Sequence, residues 1–343
     1  MRAFPIAALI IATAASAGAP RAAWAWGPTG HEWISGIAID KLPASLPAFV
    51  RTPEAVTEIA AMGREPDRSK GAGETHDAER DPGHYILLAD DGAVVGVLPL
   101  EKLPVTRKDY DTLLRAKRST QYDAGYVPYA IVVGWQQIRK DFAYWRADVK
   151  GAATAATQAE RDWFEADRRL RERLTLRDIG IWSHFVADAS QPLHVSVHFK
   201  NWGPYPNPRD YTTADIDVTF EEDFVRKNLT RAAVAAEIGP YLDCRCGIWD
   251  MTKGLLRSSL DEVGPLYTLE KEGAFTPGNA RGIRFAKARL AMGAETVRNM
   301  IVAAWEDSAH TPVGPPPMIN VRDIEDGKVR LTPDMFGADL PGP

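Results

Sequence analysis

The eleven residues from His184 to His194, H-F-V-A-D-A-S-Q-P-L-H, put two imidazoles and a carboxylate into one short stretch. These are donor types that hold a divalent metal. His184 and Asp188 stand four apart, so a helix through them stacks both side chains on one face, with Cβ atoms roughly 5 to 6 Å apart. Pro192 cannot continue that helix, because it has no N–H to donate and disfavours helical backbone at Gln191. His194 therefore reaches the same place from a chain that has just turned.

Further donors lie elsewhere. The seven histidines fall at positions 31, 76, 84, 184, 194, 198 and 310. His84 sits in D-P-G-H-Y, and Asp67, in R-E-P-D-R, precedes it by seventeen residues. Nitrogen and carboxylate donors without thiolate suit zinc, and neighbouring ions suit phosphoester chemistry. His76 and His310 read as a loop residue and a tail residue outside the site.

The N-terminus bears on the same chemistry. Arg2, the apolar run Ile6 to Ala15 and the A-x-A pattern Ala23-Trp24-Ala25 predict a signal peptide over residues 1–25, cleaved after Ala25, and a secreted or periplasmic protein. The run is far shorter than the about 20 residues of a membrane span. Cleavage would make Trp26 the first residue, with an α-amine that titrates near about 7.7 to 8 and can chelate a metal together with its own carbonyl oxygen. In W-G-P-T-G-H, the intervening glycines and proline allow His31 to fold onto the same ion.

Composition sets the frame. With 343 residues, 45% hydrophobic and 25% charged, the chain has the profile of an ordinary globular protein. Removing Arg2 and Arg21 leaves 39 basic against 46 acidic side chains, a net charge of −7. No basic field of the kind that grips duplex nucleic acid is expected, so phosphate must be held by local cations or metal. Cys244 and Cys246 stand alone in C-R-C, which excludes a four-cysteine zinc cage and leaves either a local disulfide or two thiols.

Helical periodicity must position these donors. Apolar residues recur three or four apart over Glu32–Leu42, Pro53–Met62, Lys108–Gln121, Val127–Trp145, Glu160–Arg173, Leu176–Ser190, Thr230–Tyr241 and Arg281–Trp305. The fold class expected is all-α. One small β-hairpin is expected as an insertion, Tyr85–Ala89 and Ala93–Leu98 about the turn Asp90-Asp91-Gly92. Asn201–Tyr211, dense in proline and aromatics, reads as a loop. The helical domain should run over 26–308, followed at 309–343 by a Pro-rich tail in which Ile319–Ile324 and Lys328–Leu331 could form a second hairpin about Glu325-Asp326-Gly327.

The W-G-P-T-G-H start, the His184 to His194 run and the final helix K-A-R-L-A-M-G-A-E-T-V-R-N-M-I-V-A-A-W together resemble the S1/P1 nuclease family of the zinc-dependent phospholipase C and P1 nuclease superfamily. The resemblance spans about Trp26 to Trp305. It implies a single helical domain with three zinc ions. Asp67, His84, His184 and Asp188 would hold one ion, and Trp26, His31 and Asp188 its neighbour. Asp188 would be the catalytic bridge that helps trap a hydroxide between them. His194 would open the third site, which the family completes with a histidine and, four residues on, an acid. Here the match is Asp217-V-T-F-Glu221, with aspartate where histidine is expected, and His198 is the alternative ligand.

The resemblance further implies an exported zinc-dependent phosphodiesterase, cutting single-stranded nucleic acid or 3′-nucleotides. Tyr85 and Trp202, with Tyr205 nearby, are the candidate platforms for a stacked base. Leu87 stands where a P1-like base pocket carries an acid. The short spacing from Trp26 to His31 favours the nuclease branch over its alternative, a zinc-dependent phospholipase C; a non-catalytic zinc-binding exported protein is the third reading. A monomer is assumed. The chain has no G-x-S-x-G elbow and no G-x-x-x-x-G-K loop.

Overall fold

A computed structural model describes residues 26 to 338; the signal peptide expected at 1–25 lies outside the described residues. The architecture is all-α, with two small two-stranded sheets among the described residues. In chain order the first helices are α1 (Gly27–Asp40), α2 (Pro53–Met62), the short α3 (Glu65–Arg68) and α4 (Glu74–Arg80), α5 (Arg107–Arg115) and α6 (Gln121–Ala124). The long pair α7 (Val127–Thr154) and α8 (Gln158–Ser190) follows. The remainder are α9 (Val225–Asn228), α10 (Arg231–Ala235), α11 (Ile248–Leu260), α12 (Val263–Lys271), α13 (Ala280–Ser308) and α14 (Val321–Glu325).

The stretches Glu160–Arg173 and Leu176–Ser190, expected as two helices, are one continuous helix, α8. Nothing between them breaks a helix, and the one hydroxyl there is satisfied internally, Thr175 Oγ1 donating to Arg171 O at 2.8 Å. Thr157 caps the start by accepting from Glu160 N at 3.1 Å. Buried tryptophans hold the scaffold together. Trp182 Nε1 on α8 donates to Ile131 O on α7, and Trp135 Nε1 on α7 donates to Met300 O on α13, both at 2.8 Å. The core cluster runs through Ile34 and Ile37 of α1, Ile138 and Phe142 of α7, Val186 of α8 and Leu290 and Val297 of α13.

Two expected helices shrink. The segment Lys108–Gln121 divides into α5 and α6, and Thr230–Tyr241 keeps only α10, because Gly239 and Pro240 end it. The expected hairpin keeps its turn, with Gly92 N donating to Ala89 O, but its regular strands are β1 (Ala93–Val94) and β2 (Leu98–Pro99). The segment before the turn is bound on its other side: Leu88 bridges both Val94 and Ser196.

The described residues beyond α13 pack on α7 and α8. Strands β3 (Pro312–Val313) and β4 (Ile319–Asn320) pair antiparallel. Residues 321–325, placed by the sequence reading in a strand, are the helix α14, because Asn320 caps them by accepting from Arg322 N at 2.9 Å. Val313, Val321, Ile324 and Leu331 form a second apolar cluster with Ala143, Ala147 and Phe164. Arg146 ties it down, Nη1 lying 2.9 Å from Glu325 Oε1. Cys244 and Cys246 are joined as a disulfide. No described helix is long and apolar enough to cross a membrane.

Candidate metal centre

Four separate elements converge on Asp188. α8 carries His184 and Asp188 one turn apart, both fully buried. α1 brings His31, and Ser35 one turn on hydrogen-bonds Ser183 of α8 at 2.7 Å, fixing the two helices in register. α3 brings Asp67, and the 3₁₀ turn Asp81–His84 brings His84. Two close approaches to α1 need glycine: at Gly63, the C-cap of α2, a Cβ would meet Ser35 Oγ at 2.2 Å, and at Gly27, which opens α1 at φ +57°, it would meet Glu222 Oε2 at 2.1 Å.

The donor atoms interlock. His31 Nε2 lies 3.4 Å from Asp188 Oδ1, while His84 Nδ1 and His184 Nε2 lie 2.9 and 3.3 Å from Asp188 Oδ2. Asp67 approaches all three histidines at 3.8 Å. Two donor sets therefore form, His31 with His184 and Asp188, and Asp67 with His84 and His184, the atoms of each lying within 4.8 Å of one another. Both His31 nitrogens, Asp188 Oδ1 and Asp67 Oδ2 are buried with no hydrogen-bond partner. Leaving one such group unpaired costs about 1–3 kcal/mol, more when charged, and a cation shared among them removes that cost.

Hydrogen bonds set the histidine tautomers. His184 Nδ1 lies 2.8 Å from Gly63 O, and His194 Nδ1 lies 3.0 Å from His84 O. A carbonyl only accepts, so each Nδ1 carries a proton and each Nε2 is the atom turned toward the cluster. His194 Nε2 is buried and unpartnered, 3.9 Å from Glu221 Oε1. Glu221 lies in a π-helical turn, Thr219–Phe224, four residues after the buried Asp217. Its Oε1 accepts from Gln191 Nε2 at 2.5 Å and its Oε2 has no partner. His194 and Glu221 thus face each other beside the first two sets, and Asp217 acts on Glu221 through its charge.

The electrostatics match metal ligation. Burial, helped by the neighbouring His184, pulls His31 down to about 3, and burial pulls His84 down to about 4 against the pull of Asp188. Burial also lowers His194. These imidazoles are neutral near pH 7 and offer lone pairs. Burial alone would raise the two aspartates, but the surrounding groups together outweigh it, His184 foremost, with His31 and Lys70 at Asp67 and His84 at Asp188, leaving Asp67 below and Asp188 well below the usual carboxylate range. The same carboxylates raise His184 despite its burial. Glu221 goes the other way, pushed well above its ordinary value by burial and by Asp217, so its ionised form needs a cation.

Of the remaining expected residues, Trp26 is fully buried just ahead of α1, its Nε1 donating to Ala187 O and Ser190 Oγ at 3.0 Å. It is thus tied to the helix turn that carries Asp188. Tyr85 is half-buried beside Phe199, centroids 5.5 Å apart, and Phe199 also packs on His194 at 4.9 Å. His198 does not join the donors: Nδ1 bonds Trp202 O at 2.8 Å and Nε2 meets Asp90 Oδ1 at 3.0 Å, which uses both nitrogens. Trp202 stacks on His198 at 3.7 Å and packs edge-on to Tyr267, and Tyr205 packs against the same imidazole.

Two site residues escaped the sequence reading. Lys70 places Nζ 2.6 Å from Asp67 Oδ1, and its spacing three after Asp67 on a helical turn was the available signal. Gln191 was read only as the residue before Pro192, yet it holds Glu221 and the turn into His194. Among known proteins no family model, no curated protein and no solved structure matches this chain.

Proposed function

We propose that this chain is an exported zinc-dependent phosphodiesterase of the S1/P1 nuclease kind, acting on single-stranded nucleic acid or 3′-nucleotides. The observation that carries the reading is the sharing of His184 between two buried donor sets, with Asp188 turned toward the histidines of both and with His194 and Glu221 alongside. Neighbouring metal ions are the arrangement that phosphoester hydrolysis uses. The donors fit zinc, being imidazole and carboxylate with no thiolate. Zinc held there would supply Lewis acidity toward phosphoryl oxygens and lower the pKa of bound water from about 15.7 toward about 7.

The protein's own residues do the rest. Asp188 turns one oxygen to His31 and the other to His84 and His184, which suits it to join two ions. Lys70 adds a positive charge at the edge of the cluster. Tyr85 and Phe199 offer aromatic surface beside His194 on which a base can stack. Export would free the α-amine of Trp26 next to this centre.

The test is a parallel assay of the protein beginning at Trp26 on single-stranded DNA, a 3′-nucleotide and phosphatidylcholine, with and without chelator. Chelator-sensitive cleavage of the first two is expected. Cleavage of phosphatidylcholine alone would replace the reading with a phospholipase C, and zinc-loaded protein inert on all three would leave a metal-binding protein without this activity. One extra residue before Trp26 is expected to reduce the activity at least tenfold.

A further inference from the structure

Arg289 of α13 is 3% exposed and points its guanidinium at the C-terminus of α8. Nε and Nη2 donate to Ser190 O at 3.0 and 2.8 Å, and Nη2 also donates to Ser259 Oγ at 2.5 Å. Ser259 in turn donates to Ala189 O at 2.7 Å. Burial lowers the guanidinium to about 10, so it stays charged near neutrality. Its hydrogen-bond partners are carbonyl and hydroxyl oxygens and the Met292 thioether, and the charge of nearby Glu262 and the negative end of α8 compensate it.

That anchor lies two residues after Asp188 and four before His194. The carbonyl that Arg289 grips belongs to Ser190. Gln191 follows, extended at φ −90° and ψ 118°, and donates to Glu221. Its side-chain oxygen accepts from Leu193 N at 2.8 Å and its backbone oxygen accepts from His194 N at 3.1 Å. Ser190 Oγ also accepts from Trp26 Nε1. A displacement of the last turn of α8 would be transmitted to Glu221, His194 and Trp26 together, whereas His184 is held separately by Gly63.

We propose that Arg289, with Ser259 as its partner, is a positioning residue of the metal centre: by locking the terminal carbonyls of α8 it sets the approach of His194 and Glu221 to a common metal ion. The role rests on the reading of the cluster as a metal centre and is independent of what the centre cleaves. Arginine is required because one planar fork meets a carbonyl through two N–H groups and a hydroxyl at once, which a lysine point charge cannot do.

The experiment loads the wild-type chain and the variants Arg289→Met, Arg289→Lys and Ser259→Ala with cobalt(II). It follows the cobalt absorption bands, the metal content after dialysis and the release of metal to a chelator. Wild type should hold its most labile ion at least tenfold longer than Arg289→Met, with Arg289→Lys and Ser259→Ala between them. The tightly held ions at Asp67, His84 and His184 should be retained throughout. If Arg289→Met does not fold, the two milder variants decide. Cobalt spectra and release rates equal to wild type in folded variants would overturn the role of Arg289, while a wild-type chain that takes up no cobalt would overturn the metal centre and this role with it.

Discussion

His194 donates its Nδ1–H to the backbone carbonyl of His84 at 3.0 Å, so one candidate ligand orients another through the main chain. The contact belongs to a parallel pairing in which Ile86 N donates to His194 O and Val197 N to Leu88 O. The loop bearing His84 and the turn bearing His194 are therefore one unit, although 110 residues separate them.

His184 faces both donor sets, so His184→Ala should lower metal content by more than one ion, whereas His194→Ala should remove at most one. Elemental analysis after dialysis distinguishes them, and equal losses would contradict the sharing of His184.

Metal withdrawal should destabilise the fold, because the cluster joins α1, α3, α8 and the His84 turn. A ligand at a hundred times its dissociation constant contributes about 2.7 kcal/mol, so a chelator should lower the melting temperature by several degrees and excess zinc should restore it. Calorimetry with unchanged melting would place the cluster outside the cooperative unit.

The α7–α8 seam holds Asp148, fully buried with neither carboxylate oxygen hydrogen-bonded. Burial, then the neighbouring Asp167, pushes its pKa up from 3.8 to about 9. The folded state thus holds a proton that the unfolded state has released, so this contribution to stability is complete below about pH 4 and is lost progressively up to about pH 9. Asp148→Asn should flatten that decline and raise the melting temperature at pH 8, as melts across pH 5 to 9 would show. A decline as steep as wild type would assign the pH dependence elsewhere.

Ile324 is fully buried in the cluster that fixes residues 312–331 to α7 and α8. Ile324→Ala should cost about 2–5 kcal/mol in denaturant unfolding while metal content stays unchanged. A variant that unfolds like wild type would show this segment to be thermodynamically separate.

Helix content and most donors could be read directly from the chain, because both depend on short-range spacing. The 3.6-residue period located α1, α2, α7, α8 and α13, and the His184, Asp188, Pro192, His194 series announced a helix, a stop and a turn. The period does not single out α11 and α12, and the short apolar spacing after Ile319 suits a strand as well as the helix that the Asn320 cap begins. His198 and Trp202 had the right residue types near the right motif, but they satisfy each other. Nothing in the local pattern of residues 198–205 separates a histidine that binds metal from one that bonds a carbonyl and a carboxylate.

What the sequence determined by itself is the inventory: which side chains can ligate, and which of them a single helix must place on one face. Only the tertiary structure decided which donors meet. Asp67, His84 and His31 reach Asp188 from three separate elements, and the seat of α1 needs close approach at Gly63 and Gly27. The burial that leaves these imidazoles neutral comes from elements far apart in the chain. Arg289 illustrates the same division: in sequence it is one more charge on the last long helix, and only packing sets its guanidinium against the terminal carbonyls of α8.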